Sequence, residues 1–277
     1  MKILPGISQK LKKAINLTIP RKLNGKHLFV PILGGVKVGI GNEQWMSGAL
    51  SFIMNYCDGR NFWDIGANLG QTLVKLKTLD SSWKYVGFEP NPSCVYYLDK
   101  LIESNNFDNC SVVPCGISTK DGILELELFG SDTDPLGSIV SGFRKSSSST
   151  KRKLVPIFTF SSIGKVISYT PPSIIKIDAE GAELEVVHSL SKILSDYRPF
   201  VFIEILPVYD DNNSFRLRRQ HEIEKLFKAL DYQFLRINKN KSKFTALSEV
   251  SEIGVHSQIE LSDYVVCPSE LKKTVLK

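Results

Sequence analysis

The 277-residue sequence predicts a doubly wound α/β fold with a mostly parallel, seven-stranded sheet and an N-terminal extension. From residue 61 onwards, short apolar runs alternate with stretches of helical spacing, which is typical of repeated strand–helix–strand units. Several of these runs end in an acidic residue or a glycine-containing turn, where α/β sheets bind ligands. The predicted strands are 61–65, 84–88, 111–114, 173–177, 200–205, 232–237 and 263–267, and the predicted helices are 71–79, 93–104, 181–194 and 217–230.

Residues 1–58 are predicted to form a basic, partly helical extension that precedes the α/β domain of residues 59–277. The spacing of apolar residues indicates short helices over 8–19 and 43–56. Residues 1–42 contain eight Lys or Arg and no Asp or Glu. This charge would favour peripheral contact with an anionic surface, and the alternative is a solvated segment without a partner.

An inserted hairpin is predicted at about 121–158. Residues 121–129 alternate between apolar and acidic side chains, which indicates a half-exposed strand, and residues 153–158 are expected to pair with it. The tip would carry the hydroxyl-rich tract 146–150, which basic residues flank on both sides. Aromatic residues do not interleave with the basic clusters as stacked nucleobases would require, so the sequence argues against nucleic acid as a ligand.

The five cysteines form neither a CxxC pair nor a metal-binding pattern with histidine, so reduced thiols in a cytoplasmic protein are expected. No stretch approaches the roughly 20 apolar residues that span a bilayer, which favours a soluble protein. The apolar stretch 28–56 leaves three roles open: covering a ligand pocket, forming a homodimer or recognising a substrate.

The most informative segment runs from an apolar strand through a glycine-containing turn into a helix. Asp64 ends the strand, and Gly66 and Gly70 allow a ligand to approach the backbone closely. The turn is not a dinucleotide-binding G-x-G-x-x-G, because Asn68 and Gln71 occupy its second and third glycine positions. Asp64 at the mouth would repel a pyrophosphate and attract an ammonium group such as that of a methionine moiety.

Two further turns follow the next two predicted strands. Glu89 ends the second strand, where a carboxylate can accept hydrogen bonds from both ribose hydroxyls of an adenosine-containing cofactor. Enzymes that bind NAD use the same device, so Glu89 does not choose among such cofactors. Cys115, Gly116 and Ile117 follow the third strand as small and apolar residues. They would line an adenine slot, or would form a turn without contact to a ligand.

A fourth segment places three carboxylates within six residues, just as a helix begins. Asp178 lies at the carboxyl end of a buried strand and is the first candidate for a general base. Glu180 and Glu183 have an alternative role as caps, because the helix dipole favours acids in the first turn. Glu204 ends the next strand and is predicted to point toward the same crevice.

Taken together, the stretches WDIGANLG, GFEPNP, PCGIS, IIKIDAEGAE and FIEI between residues 61 and 206 resemble the FkbM family of methyltransferases. The resemblance implies a Rossmann-like class I methyltransferase fold, a last strand that runs antiparallel and S-adenosyl-L-methionine as cofactor. It does not extend to residues 1–42. The candidate cofactor-binding residues are Asp64, Gly66, Ala67, Asn68, Gly70, Glu89, Pro90, Asn91, Cys115, Gly116 and Ile117.

The family resemblance implies O-methylation of a hydroxyl group on a sugar, glycan or secondary metabolite. Asp178 is the expected base, with Glu180 and Glu204 as further catalytic candidates. These three carboxylates and that of Glu183 could bind a divalent metal such as Mg²⁺, which stays unassigned. Two alternatives are an NAD(P)-dependent oxidoreductase and a non-catalytic α/β module that binds a partner. The acceptor is expected to be a small molecule or a glycan.

Overall fold

A computed structural model describes residues 16–129, 131–133, 137–140, 151–166, 169–209 and 213–277. The strands are β1 (Leu17–Leu23), β2 (Lys26–Ile32), β3 (Asn61–Ile65), β4 (Lys84–Phe88), β5 (Cys110–Val113), β6 (Gly116–Ile117), β7 (Gly122–Leu128), β8 (Lys151–Phe158), β9 (Ile174–Ile177), β10 (Phe200–Glu204), β11 (Tyr232–Asn240), β12 (Lys243–Val250) and β13 (Asp263–Pro268). The helices are α1 (Gln44–Met54), α2 (Gln71–Leu79), α3 (Pro92–Asn105), α4 (Phe160–Val166), α5 (Glu183–Tyr197), α6 (Ser214–Ala229) and the short α7 (Lys272–Val275).

The central sheet has eight strands in the order β12-β11-β13-β10-β9-β3-β4-β5. Neighbours from β10 to β5 pair in parallel, and β13 runs antiparallel between β10 and β11. The fold class and the antiparallel last strand are therefore confirmed. The chain reverses its direction of travel through the sheet between β3 and β9, and α/β folds bind ligands at such a switch point.

The predicted count of seven strands is wrong, because β12 adds an eighth strand at the sheet edge. None of the residues of β12 is fully buried. A strand without a buried face does not need alternating apolar and polar residues, and this strand lacks that signal. Pairing with β11 and packing against α1 stabilise the strand instead. The rings of Phe52 and Phe244, for example, lie 5.6 Å apart.

Both faces of the sheet are covered by helices, as a largely parallel sheet requires. On one face, Leu50 of α1, Leu73 of α2 and Leu98 of α3 are fully buried in one core cluster. On the other face, Leu190 of α5 and Phe227 of α6 are buried in a second cluster. Among the described residues, no helix has the length and apolar character needed to cross a membrane.

The N-terminal extension shares its core with the sheet. Strands β1 and β2 form an antiparallel pair, and Leu28 and Val30 are buried in the same cluster as α1 and α2. The hydroxyl of Tyr97 on α3 donates to the carbonyl of Pro31 and accepts from the amide of Val38, both at 2.8 Å. Burial and these buried hydrogen bonds make the extension part of one folded unit with the sheet.

The helix predicted over 8–19 is wrong where the structure describes it, because residues 17–19 lie in β1. Residues 8–15 lie outside the described residues. The strand reverses at Asn24 and Gly25, which both adopt a positive φ, and continues as β2. Pairing of β1 with β2 therefore determines the structure of residues 17–19, and their weak helical spacing does not.

The inserted hairpin is present as β7 paired antiparallel with β8, and the short β6 joins β8 on its other side. Leu126, Leu128 and Val155 are buried on its inner face. The serine tract 146–150 lies outside the described residues. All five cysteines lie within the described part of the chain and are free thiols.

Candidate functional site

A cavity of about 310 Å³ opens at the carboxyl ends of β3, β4, β9 and β10, at the switch point of the sheet. The hairpin and the N-terminal extension supply the remaining walls. Eleven of the predicted site residues line the cavity: Gly66, Ala67, Asn68, Glu89, Pro90, Asn91, Gly116, Ile117, Asp178, Glu180 and Glu204. Three predicted cofactor-binding residues do not, namely Asp64, Gly70 and Cys115.

The glycine turn after β3 lies directly against the loop after β9. Gly66 has a φ of +85°, and a Cβ atom built there would lie 1.9 Å from the carbonyl oxygen of Asp178. Only glycine meets both conditions, so Gly66 joins two loops that line the cavity. Gly70 also has a φ of +85°, but its added Cβ would meet Leu98 and Leu101 of α3. Gly70 therefore serves helix packing rather than the cavity.

Glu89 presents a carboxylate that main-chain amides hold in place. Its Oε1 accepts from the amide of Asn91 and its Oε2 from the amide of Asn68, both at 2.8 Å. Burial raises the pKa of Glu89 to about 7, although the two amides act in the opposite direction. Each oxygen keeps a second lone pair, so the carboxylate fits the two hydroxyls of a ribose.

The prediction that Asp64 stands at the mouth of the cavity is wrong. The residue is 0 % exposed, and its Oδ2 accepts a 2.8 Å hydrogen bond from the hydroxyl of Tyr85. In the register of β3 and β9, Asp64 lies opposite Lys176, whose Nζ is 3.9 Å from Oδ1. Burial raises the pKa of Asp64 to about 6, which Lys176 and Tyr85 partly offset. The side chain lies under the floor of the cavity because its strand has not yet ended there.

Cys115 likewise does not line the cavity. It is 2 % exposed and buried in the second core cluster. Burial raises the pKa of its thiol to about 12. Its neighbours Gly116 and Ile117 line the cavity instead, because their short strand β6 is paired to the hairpin.

Lys176 lines the cavity, although the sequence analysis did not select it. Its Nζ lies 2.8 Å from Oδ2 of Asp178, which follows two residues later on the same face of β9. Burial alone would lower the pKa of Lys176, but the carboxylates of Asp178, Asp64 and Glu43 raise it above its ordinary value. The sequence does contain a signal for Lys176, because it lies inside the buried run Ile-Ile-Lys-Ile. A lysine is rarely buried without a partner, so this position indicates a nearby carboxylate.

The remaining carboxylates after β9 and β10 have different surroundings. Glu183 accepts from the amides of Ala179 at 3.1 Å and Gly181 at 3.0 Å, so it stabilises the turn as a cap. The carbonyl of Glu180 accepts from a serine hydroxyl of the insertion, and its residue lines the cavity. Burial, together with nearby Asp178 and other acids, raises the pKa of Glu204 to about 9. This shift favours the protonated form of Glu204, in which the carboxyl can donate a hydrogen bond.

No group of three or more His, Cys, Asp or Glu suited to a metal ion occurs in the described part of the chain. The ammonium of Lys176 lies 2.8 Å from Asp178, which is one of the candidate ligands. Glu183, another candidate, accepts a hydrogen bond from a main-chain amide. A divalent metal stays unassigned.

Two walls of the cavity come from segments that the motifs did not indicate. The hairpin contributes Leu126 and Leu128, and its loop contributes Ile139, which together form an apolar slot. The extension contributes Asn42 and Glu43. Neither wall could be predicted from the sequence, because alternation indicates a strand but not what its inner face covers.

The insertion is fastened to the cavity loops at two points. On one side, Nζ of Lys153 donates to Oδ1 of Asn91 at 3.1 Å and to the hydroxyl of Ser93 at 2.9 Å. On the other side, the hydroxyl of Ser138 donates to the carbonyl of Glu180 at 2.7 Å. The hairpin is thereby held over the cavity between the loops that follow β4 and β9.

Comparison with known proteins gives one family. The chain matches the family described as "Methyltransferase FkbM domain" over residues 64–234. It is also similar to the hexuronic acid methyltransferase AglP of Haloferax volcanii, with 28 % identity over 178 residues that make up 61 % of this chain and 67 % of AglP.

Solved structures with a similar arrangement were also found. A methyltransferase FkbM from Methylobacillus flagellatus KT has 18 % identity and a TM-score of 0.44, and the match covers 70 % of this chain but only 44 % of that protein. An O-methyltransferase from Bacillus cereus in complex with SAH has 14 % identity and a TM-score of 0.47, with 83 % of this chain and 82 % of that protein covered.

Proposed function

This chain belongs to the FkbM methyltransferase family, and on that premise we propose that it transfers a methyl group from S-adenosyl-L-methionine to an oxygen of a sugar, glycan or secondary metabolite. The observation that carries the proposal is the meeting of Glu89 and Asp178 in one cavity. They end β4 and β9, which flank β3, so they lie about 10 Å apart at ordinary strand spacing. One carboxylate thus faces a cofactor ribose while the other faces the acceptor.

The cofactor's adenosine is proposed to occupy the half of the cavity beside the hairpin. Glu89 would accept hydrogen bonds from both ribose hydroxyls, while two main-chain amides hold its carboxylate. Ile117, Leu126 and Leu128 offer an apolar slot for the adenine ring. This division of polar and apolar contacts suits a nucleoside, because a few directed hydrogen bonds fix its orientation within an apolar pocket.

The cofactor supplies a methyl group that its sulfonium already activates, so the protein has to orient the acceptor and remove a proton. We assign the role of base to Asp178, which would take the proton from the acceptor hydroxyl as the new oxygen–carbon bond forms. Lys176 holds this carboxylate in place by a 2.8 Å hydrogen bond. Glu204 lines the same part of the cavity and would form a hydrogen bond with another oxygen of the acceptor.

A sugar or another polyhydroxylated molecule is the proposed acceptor. The support is the similarity to AglP, whose name specifies a hexuronic acid as its substrate, together with the hydrogen-bonding groups at this end of the cavity. Asp178, Glu180 and Glu204 line the acceptor side, and hydroxyl groups of a sugar can donate to such oxygens.

Isothermal titration calorimetry tests the cofactor assignment first. We expect micromolar binding of S-adenosylmethionine and S-adenosylhomocysteine, no binding of NAD, and a loss of about 10- to 100-fold in affinity for Glu89→Ala. Glu103→Gln is the matched control, because Glu103 pairs with Lys100 on the exposed side of α3. Binding of NAD in place of the two sulfur nucleosides would overturn the proposal and favour the oxidoreductase. A methylation screen over sugars and glycans then tests the acceptor.

A further inference from the structure

The cofactor's methionine end carries an ammonium group that needs an anionic partner in a partly buried site. Asp64 was the predicted partner, but the structure places its side chain below the floor and against Tyr85. The other carboxylates that line the cavity are those of Glu43, Glu89, Asp178, Glu180 and Glu204. Glu89 is the proposed partner of the ribose, and Glu180 and Glu204 line the proposed acceptor side.

Two carboxylates at the polar end of the cavity differ in how firmly lysines engage them. Asp178 lies 2.8 Å from the ammonium of Lys176, which is a full hydrogen bond. Glu43 lies 3.5 Å from the ammonium of Lys75, and its side chain is 45 % exposed. The looser pair leaves Glu43 with more accessible carboxylate surface for a ligand.

The backbone at Glu43 is unusual for a non-glycine residue. Its φ is +47°, in the left-handed region, and its side chain makes no capping hydrogen bond to α1. Such a strained conformation occurs more often at functional sites than elsewhere. The side chain reaches Lys75 of α2 instead, so the carboxylate faces the helix that begins at the glycine turn.

The surroundings of Glu43 fit a group that carries both charges of an amino acid. Gln71 and Thr72 line the same cavity at the start of α2, and Asn42 precedes Glu43 in the wall. The hydroxyl of Thr72 lies 3.9 Å from the sulfur of Met46, so α1 and the start of α2 are in contact here. Unpaired amides at the start of a helix favour a carboxylate, and Glu43 beside them favours the ammonium.

From this geometry we propose that Glu43 binds the α-ammonium group of the cofactor's methionine end. The inference rests on the proposed function and extends it to a residue outside the matched range 64–234. The N-terminal extension, fastened to α3 through Tyr97, thereby completes the cofactor site.

The test compares two nucleosides that differ at the methionine end. S-adenosylhomocysteine carries the amino-acid group, whereas 5′-methylthioadenosine lacks it but keeps the adenosine and the sulfur. Calorimetry on Glu43→Gln should show a loss of about tenfold or more in affinity for S-adenosylhomocysteine, because a charge-assisted hydrogen bond is lost. Affinity for 5′-methylthioadenosine should stay within about twofold of wild type. Glu43→Asp keeps the charge on a shorter side chain and should lose less.

The possible results separate this inference from the proposed function. Equal losses for both nucleosides in Glu43→Gln would overturn the inference, because they would mean a general change in the pocket. Unchanged affinity for S-adenosylhomocysteine, with or without a raised KM for the acceptor, would also overturn it and leave the proposed function standing. If the wild-type protein binds neither nucleoside, the proposed function fails and the inference fails with it.

Discussion

The two carboxylates that define the cavity, Glu89 after β4 and Asp178 after β9, are held by different means. Main-chain amides of Asn68 and Asn91 hold Glu89, and their positions follow from the glycine turn and the start of α3. A side-chain ammonium, that of Lys176, holds Asp178. Main-chain amides fix the position of the Glu89 carboxylate without adding a full charge. The lysine fixes the position of Asp178 and also adds a positive charge beside it. The proposed cofactor end is therefore positioned by the main chain, and the proposed acceptor end depends on individual side chains.

The largest expected effect comes from removing the charge at the acceptor end. Asp178→Asn keeps the size of the side chain but cannot accept the proton, so turnover should fall by about 10²- to 10⁴-fold. The affinity for S-adenosylhomocysteine should stay close to that of wild type, because Glu89 and its amides are untouched. Turnover is measured as methyl transfer to the acceptor found in the screen, and affinity by calorimetry.

Two results would contradict the proposed division of roles between Glu89 and Asp178. Unchanged turnover in Asp178→Asn would remove Asp178 from the role of base. A large loss of nucleoside affinity would mean that the two ends do not act separately. Glu103→Gln, on the exposed side of α3, serves as the control for both measurements.

The difference between the two ends also explains what could be predicted from the sequence. The alternation of strands and helices and the place of Glu89 after a strand follow from local patterns, because a strand, its turn and the next helix are neighbours in the chain. The position of Asp64 could not be predicted, because it depends on where β3 ends relative to β9, and Lys176 lies directly opposite on that strand.

The residues that form the walls of the cavity could not be predicted from sequence patterns either. Leu128 and Glu43 line the cavity only because the hairpin and the extension fold back over the sheet. Alternating apolar residues indicate an inner face, but they do not say what that face covers. The edge strand β12 was missed for a related reason, because packing against α1 stabilises it rather than its own pattern.

A smaller effect is expected when the lysine is removed and the base is kept. Lys176→Met takes away the ammonium that holds the carboxylate of Asp178 by a 2.8 Å hydrogen bond, so turnover should fall by about tenfold. Lys176→Arg keeps a cation and hydrogen-bond donors at this place and should restore most of the wild-type turnover.

A purely structural role for Lys176 would give a different result. The variant removes the buried cation beside Asp64 and Asp178, which costs stability, so its melting temperature and its affinity for S-adenosylhomocysteine are measured first. A folded variant with unchanged turnover would show that Lys176 does not position Asp178 for the reaction.

An effect of similar size is expected in the pH dependence at the proposed cofactor end. Burial raises the pKa of Glu89 to about 7 in the free protein. Ribose hydroxyls bind the ionised carboxylate better, so the bound cofactor must lower this pKa, and affinity must fall as the pH drops below about 7. At pH 6 only about a tenth of Glu89 is ionised, which predicts an affinity about tenfold below that at pH 8. Titrations with S-adenosylhomocysteine between pH 5.5 and 8.5 measure the slope, and Glu89→Gln should abolish it. A slope that persists in Glu89→Gln would assign the titrating group elsewhere, with buried Asp64 and its pKa of about 6 as the next group to replace.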